Sequence, residues 1–306
     1  MPLEPSLPDF GIDWPDATHI GLVAPSGTLS PARLDRCVKA LEERHCNFWL
    51  GEHVRQKHRA MAGTVTERLS DLHHAYKSPD IDALWALRGG YGCAQLLESF
   101  DWKELSHAKP LIGYSDLTAW LEYARRQGLP GIHGPVLTEW AIEGETSAEQ
   151  IERQRSLNSV TALLAGTWPV FDVTPVSIDT PVEGAVIGGN LTVLASLCGT
   201  PYAPSPPPGA ILILEDVGEP LYRLERSLCQ LLESLPKGSV SAVGLGEFIG
   251  CGETDAIIAM TQEHLDAHDI KLVAGLPVGH GPRNLAWPYG ERAILDRVSL
   301  RFLKAH

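Results

Sequence analysis

In residues 110–118, Pro-Leu-Ile-Gly-Tyr-Ser-Asp-Leu-Thr, an apolar run ends in a glycine and a short polar turn. Residues 117–127 follow with the apolar spacing of a helix. The segment therefore predicts a β-strand that is followed directly by an α-helix, with Ser115 in the turn between them. In open α/β sheets ligands bind outside the carboxyl ends of the strands, so this turn is the first candidate for a functional site.

The same succession of strand, turn and helix occurs on the N-terminal side of this segment. Apolar runs predict strands at residues 19–24 and 81–87, and apolar residues at helical spacing predict helices at residues 30–44 and 66–76. Strands that alternate with helices are typical of βαβ units and a mostly parallel sheet. We therefore predict an α/β fold whose N-terminal domain is flavodoxin-like.

The second half of the chain has a different pattern. A chain of 306 residues exceeds the usual size of one hydrophobic core, and residues 166–182 read as an extended linker. We predict an N-terminal domain of residues 1–165 and a smaller C-terminal α/β domain of residues 183–306 that is partly barrel-like. In the second half we expect strands at residues 184–187, 210–214, 241–248 and 271–276, and helices at residues 190–197, 223–235 and 261–268.

Composition excludes several classes of protein. The formal net charge of −13 disfavours a nucleic-acid partner, which needs clustered Lys and Arg, and no apolar run is long enough to cross a bilayer. Residues 1–5 lack the charged and apolar pattern of a secretory signal. We therefore expect a cytoplasmic protein that binds neither nucleic acid nor membrane.

Metal and disulfide chemistry are not expected either. The six cysteines are scattered without C-x-x-C spacing and read as reduced, mostly buried thiols. His73 and His74 lack the H-E-x-x-H spacing of a zinc site. We predict no metal and no other cofactor.

Ser115 is a candidate nucleophile. Its hydroxyl and the backbone N–H of Asp116 can both face an open site, where the helix N-terminus favours developing negative charge. The alternative is that Ser115 or Asp116 only caps the helix. The segment is not the G-x-S-x-G elbow of α/β-hydrolases, because Leu117 stands where that motif has its last glycine.

Residues 88–92, Arg-Gly-Gly-Tyr-Gly, form a second loop at a strand end. Glycines let backbone N–H groups approach a ligand closely, so this loop could supply an oxyanion donor. It could also be only a tight turn. It is not a phosphate loop, because the lysine and the hydroxyl residue of that motif are absent.

Two histidines are candidates for the general base that a serine nucleophile needs. His280 lies between glycines beyond the apolar residues 272–278 and is therefore accessible. His133 also ends a strand and lies in the domain of the nucleophile. A loop histidine of this kind can also be ordinary surface.

The carboxylates Glu215 and Asp216 emerge from an apolar strand and are candidates for the acid that orients the base. The alternative is a solvated strand end or an ion pair with Arg223 or Arg226.

Together these motifs make the chain resemble the LD-carboxypeptidases of serine peptidase family S66, which include the microcin-immunity peptidases. The resemblance runs along nearly the whole chain, and the order and joint presence of the motifs make it specific. The motifs are residues 21–27, 62–64, 68, 71–73, 88–92, 113–116, 133–135, 188–191, 214–219, 222–223 and 279–280.

The resemblance implies a Ser-Glu-His triad of Ser115 as nucleophile, His280 as general base and Glu215 as orienting carboxylate. It implies that the backbone N–H groups of Gly90 and Asp116 are the oxyanion donors. The nucleophile would lie in the first domain and its partners in the second, so the site would lie at the domain interface.

The family reaction removes the terminal D-alanine from a murein tetrapeptide, in the cytoplasm, during cell-wall recycling. The resemblance thus implies a small peptide substrate. It also implies a homodimer, because dimers are common in the family. The substrate carries several carboxylates, and Arg88 and Arg283 are our candidates to bind them, although each could be a structural ion-pair partner. Tyr91, in the glycine-rich loop, is a further substrate-binding candidate.

Two other functions stay open at this point. The immunity branch of the family cleaves peptidyl-adenylates, and Trp140, Trp168 and Trp287 could stack on such a nucleotide. A non-catalytic muropeptide-binding protein would keep the cleft without the chemistry.

Overall fold

The computed structural model describes residues 18–103, 105 and 108–304. Strands and helices alternate along its first half, close to the predicted positions. The strands are β1 (Ile20–Val23), β2 (Phe48–Leu50), β3 (Ala83–Ala86), β4 (Leu111–Gly113) and β5 (Gly131–His133). The helices are α1 (Pro31–Glu43), α2 (Val65–Lys77), α3 (Thr118–Arg126) and α4 (Ser147–Leu164), of which α4 was not predicted.

The second half is richer in strands than predicted. Its strands are β6 (Val170–Asp172), β7 (Thr174–Pro175), β8 (Val182–Asn190), β9 (Ala210–Val217), β10 (Val240–Ile249), β11 (Lys271–Ala274), β12 (Trp287–Tyr289), β13 (Arg292–Leu295) and β14 (Ser299–Phe302). Its helices are α5 (Leu191–Leu197), α6 (Leu221–Ser234) and α7 (Thr254–Asp266). Short 3-10 segments lie at Cys93–Leu96, Ser115–Leu117 and Leu137–Ala141.

The first sheet has the strand order β12-β5-β4-β3-β1-β2, with β1 to β5 parallel. The order 2-1-3-4-5 is that of flavodoxin-like sheets. Strand β12 comes from the second half of the chain and joins the edge antiparallel to β5, with Trp287 opposite His133. The predicted α/β class is confirmed.

The second sheet has the order β6-β14-β13-β8-β9-β10-β11-β7. Its centre, β8 to β11, is parallel, and the remaining strands pair antiparallel. The outermost strands β6 and β7 are separated only by Val173 and lie inside the segment predicted as a linker. The boundaries at residues 165 and 183 and the partly barrel-like arrangement stay predictions.

Burial of the first sheet explains why its strands are nearly continuous apolar runs. All four residues of β1 and of β3 are buried, as expected for a parallel sheet covered by helices on both faces. Helix α1 contributes Leu34, Cys37 and Leu41 to this core. No helix in the described ranges is long and apolar enough to cross a membrane. The inference drawn from residues 1–5 concerns residues outside those ranges.

Candidate active site

Ser115 lies two residues after the end of β4, in a strained backbone conformation. Its φ is +62°, in the left-handed region, which costs a residue with a Cβ roughly 1–2 kcal/mol. The other non-glycine residues with positive φ in the described part of the chain, His45, Arg59 and Asp269, are exposed. Strain of this kind persists only where the surroundings hold it, and it concentrates at functional sites. The predicted alternative of a capping residue is not observed, because no side chain caps either helical segment here.

A continuous series of hydrogen bonds joins Ser115 to a buried carboxylate. His280 Nε2 lies 3.0 Å from Ser115 Oγ, and His280 Nδ1 lies 2.7 Å from Glu215 Oε2. Glu215 is fully buried near the end of β9. The structure thus brings together the three side chains that the sequence predicted, from both halves of the chain. In this arrangement the Ser115 hydroxyl can transfer its proton to the His280 imidazole, while the Glu215 carboxylate stabilises the imidazolium that forms.

The charged groups around His280 make its imidazole more basic. Burial disfavours its charge, but the hydrogen bond and the charge of Glu215, together with the charges of Glu139 and Asp216, outweigh burial and raise the pKa of His280 above 6.5. A more basic imidazole accepts a proton from a hydroxyl more readily.

His133, the rival base, has a different environment. It is fully buried and stacks on Trp287 with ring centroids 4.9 Å apart. Neither ring nitrogen has a hydrogen-bond partner within the described ranges. Burial, with a smaller contribution from His280, lowers the pKa of His133 to about 3. The structure does not bring His133 to Ser115.

The second carboxylate, Asp216, has a structural role at the start of α5. It accepts hydrogen bonds from the Asn190 side chain and from the backbone N–H and hydroxyl of Thr192.

The predicted alternative for the two carboxylates is an ion pair with Arg223 or Arg226. Arg223 pairs with Glu219 instead, and Glu215 pairs with His280. No ion pair within the described ranges involves Arg226.

The glycine-rich loop passes directly over Ser115. A Cβ on Gly89 would lie 2.9 Å from Ser115 Cβ and 3.1 Å from its hydroxyl oxygen, closer than side chains tolerate. The Gly89 carbonyl accepts a hydrogen bond from the Gly27 N–H at 3.0 Å. The backbone N–H groups of Gly90 and Asp116 donate to no protein acceptor in the described part of the chain. The oxyanion role of these two groups stays a prediction.

The side chain of Asp116 ties this loop to the serine turn. Its carboxylate accepts hydrogen bonds from the Ser26 hydroxyl at 2.7 Å and from the Cys93 N–H at 2.8 Å. The two loops that would surround a reacting carbonyl are therefore fixed to each other.

Replacing Gly89 with alanine tests this close approach. We expect Gly89→Ala to push the loop away from Ser115 and to lower the kcat of a reaction at Ser115 about 10²- to 10³-fold, the usual effect of losing one oxyanion donor, here the predicted donor Gly90. Gly238→Ala is the control: its Cβ position is open but its φ is +73°, so the change should cost some stability and leave kcat unchanged. Unaltered kinetics in folded Gly89→Ala would show that the loop takes no part in the reaction.

Helix α4, which the sequence did not reveal, holds the loop that carries His280. Arg153 donates to the Gly281 carbonyl at 3.3 Å. The Ser156 hydroxyl donates to the Pro282 carbonyl at 2.9 Å and accepts from the Asn284 N–H at 2.8 Å. A helix of the first half therefore positions the histidine of the second.

A cleft of about 400 Å³ opens over Ser115 and His280. Arg88, a predicted substrate-binding residue, lines it, as does Arg33, which the sequence reasoning missed. Tyr91 is 60% exposed and does not line the cleft. Arg283 lines a separate cavity together with Glu247.

The three tryptophans considered for nucleotide stacking do not line this cleft. Trp140 and Trp287 are buried, and Trp168 packs against the cores of the fold. The described residues include no group of three or more His, Cys, Asp and Glu side chains arranged to bind a metal ion.

Comparison with known proteins identifies the family of the chain. Residues 20–134 match the family description "LD-carboxypeptidase N-terminal domain", and residues 183–295 match "LD-carboxypeptidase C-terminal domain". A murein tetrapeptide carboxypeptidase of Pseudomonas aeruginosa is 44% identical over 97% of this chain and 99% of its own length.

Two further similarities are informative. The crystal structure of a muramoyltetrapeptide carboxypeptidase from Oxalobacter formigenes superposes with a TM-score of 0.80 at 30% identity, over 94% of this chain and 99% of that one. The microcin C7 self-immunity protein MccF of Escherichia coli is 27% identical over 89% of this chain and 88% of its own length. The chain therefore belongs to the LD-carboxypeptidase family.

Proposed function

We propose that this protein is a serine LD-carboxypeptidase that removes the terminal D-alanine from murein tetrapeptides. The observation that carries the proposal is the hydrogen-bonded series of Ser115, His280 and Glu215, which opens into a cleft in a chain of this family. Two similar proteins are named for this activity, one of them 44% identical.

In the proposed reaction Ser115 attacks the scissile carbonyl and His280 takes the hydroxyl proton. Glu215 stabilises the imidazolium that forms. The negative charge on the carbonyl oxygen is stabilised by the backbone N–H groups of Gly90 and Asp116. His280 then gives the proton to the amine of the leaving D-alanine, and water hydrolyses the acyl-enzyme by the same route in reverse.

We further propose that the reaction serves peptidoglycan recycling in the cytoplasm and that the enzyme is a homodimer. These proposals rest on the family resemblance. The adenylate-cleaving alternative is less well supported, because none of the tryptophans that could stack on a nucleotide lines the cleft.

The proposal is tested by incubating the purified protein with a murein tetrapeptide. We expect free D-alanine and the tripeptide in equal amounts, measured by mass spectrometry, with a turnover on the order of 1 per second or faster. A tetrapeptide with a D-centre on the acyl side of the scissile bond is the matched control and should not be cleaved.

Two outcomes would contradict the proposal. Tight binding of the tetrapeptide without product would indicate a binding protein. A higher kcat/KM for an aspartyl-adenylate analogue than for the tetrapeptide would indicate the immunity reaction.

A further inference from the structure

We propose that Arg33 and Arg88 together bind the free α-carboxylate of the residue that is released, and so restrict cleavage to the last peptide bond of a chain. This inference rests on the proposed function and assigns the part of the cleft that would make the enzyme a carboxypeptidase rather than an endopeptidase.

Bond lengths limit where such a cation can lie. In a carboxypeptidase substrate the terminal carboxylate carbon is three bonds from the scissile carbonyl carbon, which places the two at most about 4 Å apart. The residue that binds the carboxylate must therefore lie beside the groups that bind the carbonyl oxygen.

Arg88 meets this requirement. Its Nε lies 4.0 Å from the position of a Cβ on Gly90, the proposed oxyanion donor, and 3.6 Å from that of a Cβ on Gly27. Its Nη1 donates to the Thr28 carbonyl, which fixes the side chain over the loop. Its other guanidinium N–H groups have no acceptor among the described residues and can bind a ligand in the cleft that Arg88 lines.

Arg33 supplies a second cation to the same cleft, from the first turn of α1. Neither Arg33 nor Arg88 forms an ion pair within the described ranges, whereas neighbouring cations do. Arg36 of the same helix pairs with Glu143 at 2.8 Å, and Arg55 pairs with Asp35 at 2.7 Å.

The third arginine of the cleft, Arg153, is already paired. Arg153 contacts Glu139 at 2.6 Å and Glu145 at 2.5 Å, so this buried cation is committed to acids of the protein itself. The charged side chains that line the cleft are Arg33, Arg88, Arg153 and Glu139, so cations predominate there in a chain whose net charge is −13. Two guanidinium groups without acidic partners form the kind of site that binds a carboxylate through paired, charge-assisted hydrogen bonds.

The experiment compares two peptides that differ only at the end. One ends in D-alanine with a free carboxylate and the other ends in D-alanine amide. We expect the wild-type enzyme to prefer the free acid, and Arg88→Met and Arg33→Met each to lower kcat/KM for the acid roughly 10- to 100-fold, the usual worth of a hydrogen bond to a charged group. For the amide we expect either substitution to change kcat/KM by less than about threefold, because the amide has no negative charge for the arginines to bind.

The control variant is Arg55→Met, which removes an ion-paired arginine that does not line the cleft and should leave both values unchanged. Equal losses for acid and amide in Arg33→Met and Arg88→Met would overturn the inference, as would a wild-type enzyme that cleaves both peptides equally well. If the wild-type enzyme released neither D-alanine from the acid nor D-alanine amide from the amide, the proposed function itself would fail.

Discussion

Replacing Ser115 with alanine is expected to lower the kcat for release of D-alanine by about 10⁴- to 10⁶-fold, the range found when the nucleophile of a serine peptidase is removed. The alanine should fit without rearrangement, because His280 is the only hydrogen-bond partner of the Ser115 side chain among the described residues. The measurement is single-turnover release of D-alanine, with thermal unfolding as a check on the fold.

The matched variants are His280→Ala and the double variant. If the two residues act as one unit, all three proteins lose about the same factor, because the second change removes a group that no longer has a function. Losses that multiply in the double variant would show that Ser115 and His280 act independently. A Ser115→Ala enzyme with normal turnover would rule out the proposed mechanism.

Much of this site could be predicted because each of its parts lies at the end of an apolar run. Ser115 follows β4 of the first sheet and Glu215 lies near the end of β9 of the second, and in open α/β sheets the carboxyl ends of parallel strands are where ligands bind. The spacing of the apolar residues and the turn residues that follow them therefore located each candidate in the sequence. They could not show that His280, rather than His133, faces the serine, because that choice depends on how the two sheets are placed together.

Helix α4 escaped prediction because its buried face is partly polar. Arg153, Ser156 and Thr161 are buried in it, so the residues that face inward do not form the apolar stripe by which an amphipathic helix is recognised. Arg153 is stabilised there by its acidic partners, and Ser156 by backbone groups of the His280 loop. The buried polar residues that obscure the helical pattern in the sequence, Arg153 and Ser156, are therefore the ones that position His280.

Strand β12 escaped for another reason. It is short, it contains Pro288, and it pairs with β5 more than 150 residues earlier in the chain. Proline is tolerated at a sheet edge, where one side of the strand needs no partner. No local pattern encodes such a distant pairing. Arg33 was missed in the same way, since only the fold brings the first turn of α1 to the cleft.

Replacing Glu215 with glutamine is expected to lower kcat about 10³- to 10⁴-fold, as in serine peptidases that lose the charge of the orienting acid. Glutamine keeps the size of the side chain but cannot stabilise an imidazolium with a full charge. Its amide can also donate to His280 Nδ1, which would leave the imidazole in the tautomer that cannot accept the serine proton.

The pH dependence gives this variant a signature that a purely structural defect lacks. The base must be neutral, so kcat/KM rises with pH through the pKa of His280 in the free enzyme. Glu215 raises that pKa above 6.5, which places the rise of the wild-type profile at higher pH than for a free histidine. In Glu215→Gln the charge of the carboxylate and its hydrogen bond, the two largest contributions that raise the pKa of His280, are lost while burial remains. The pKa falls, so the rise of the Glu215→Gln profile should move to lower pH.

The matched control is Glu225→Gln, which neutralises another carboxylate paired with a histidine. Glu225 Oε1 lies 3.1 Å from His264 Nε2, and the pair is partly exposed and does not line the cleft. This change should alter neither the rate nor the profile. A Glu215→Gln enzyme with lower activity but an unshifted profile would mean that Glu215 supports the fold around His280 without setting its basicity, and the assignment of Glu215 as the orienting carboxylate would then be wrong.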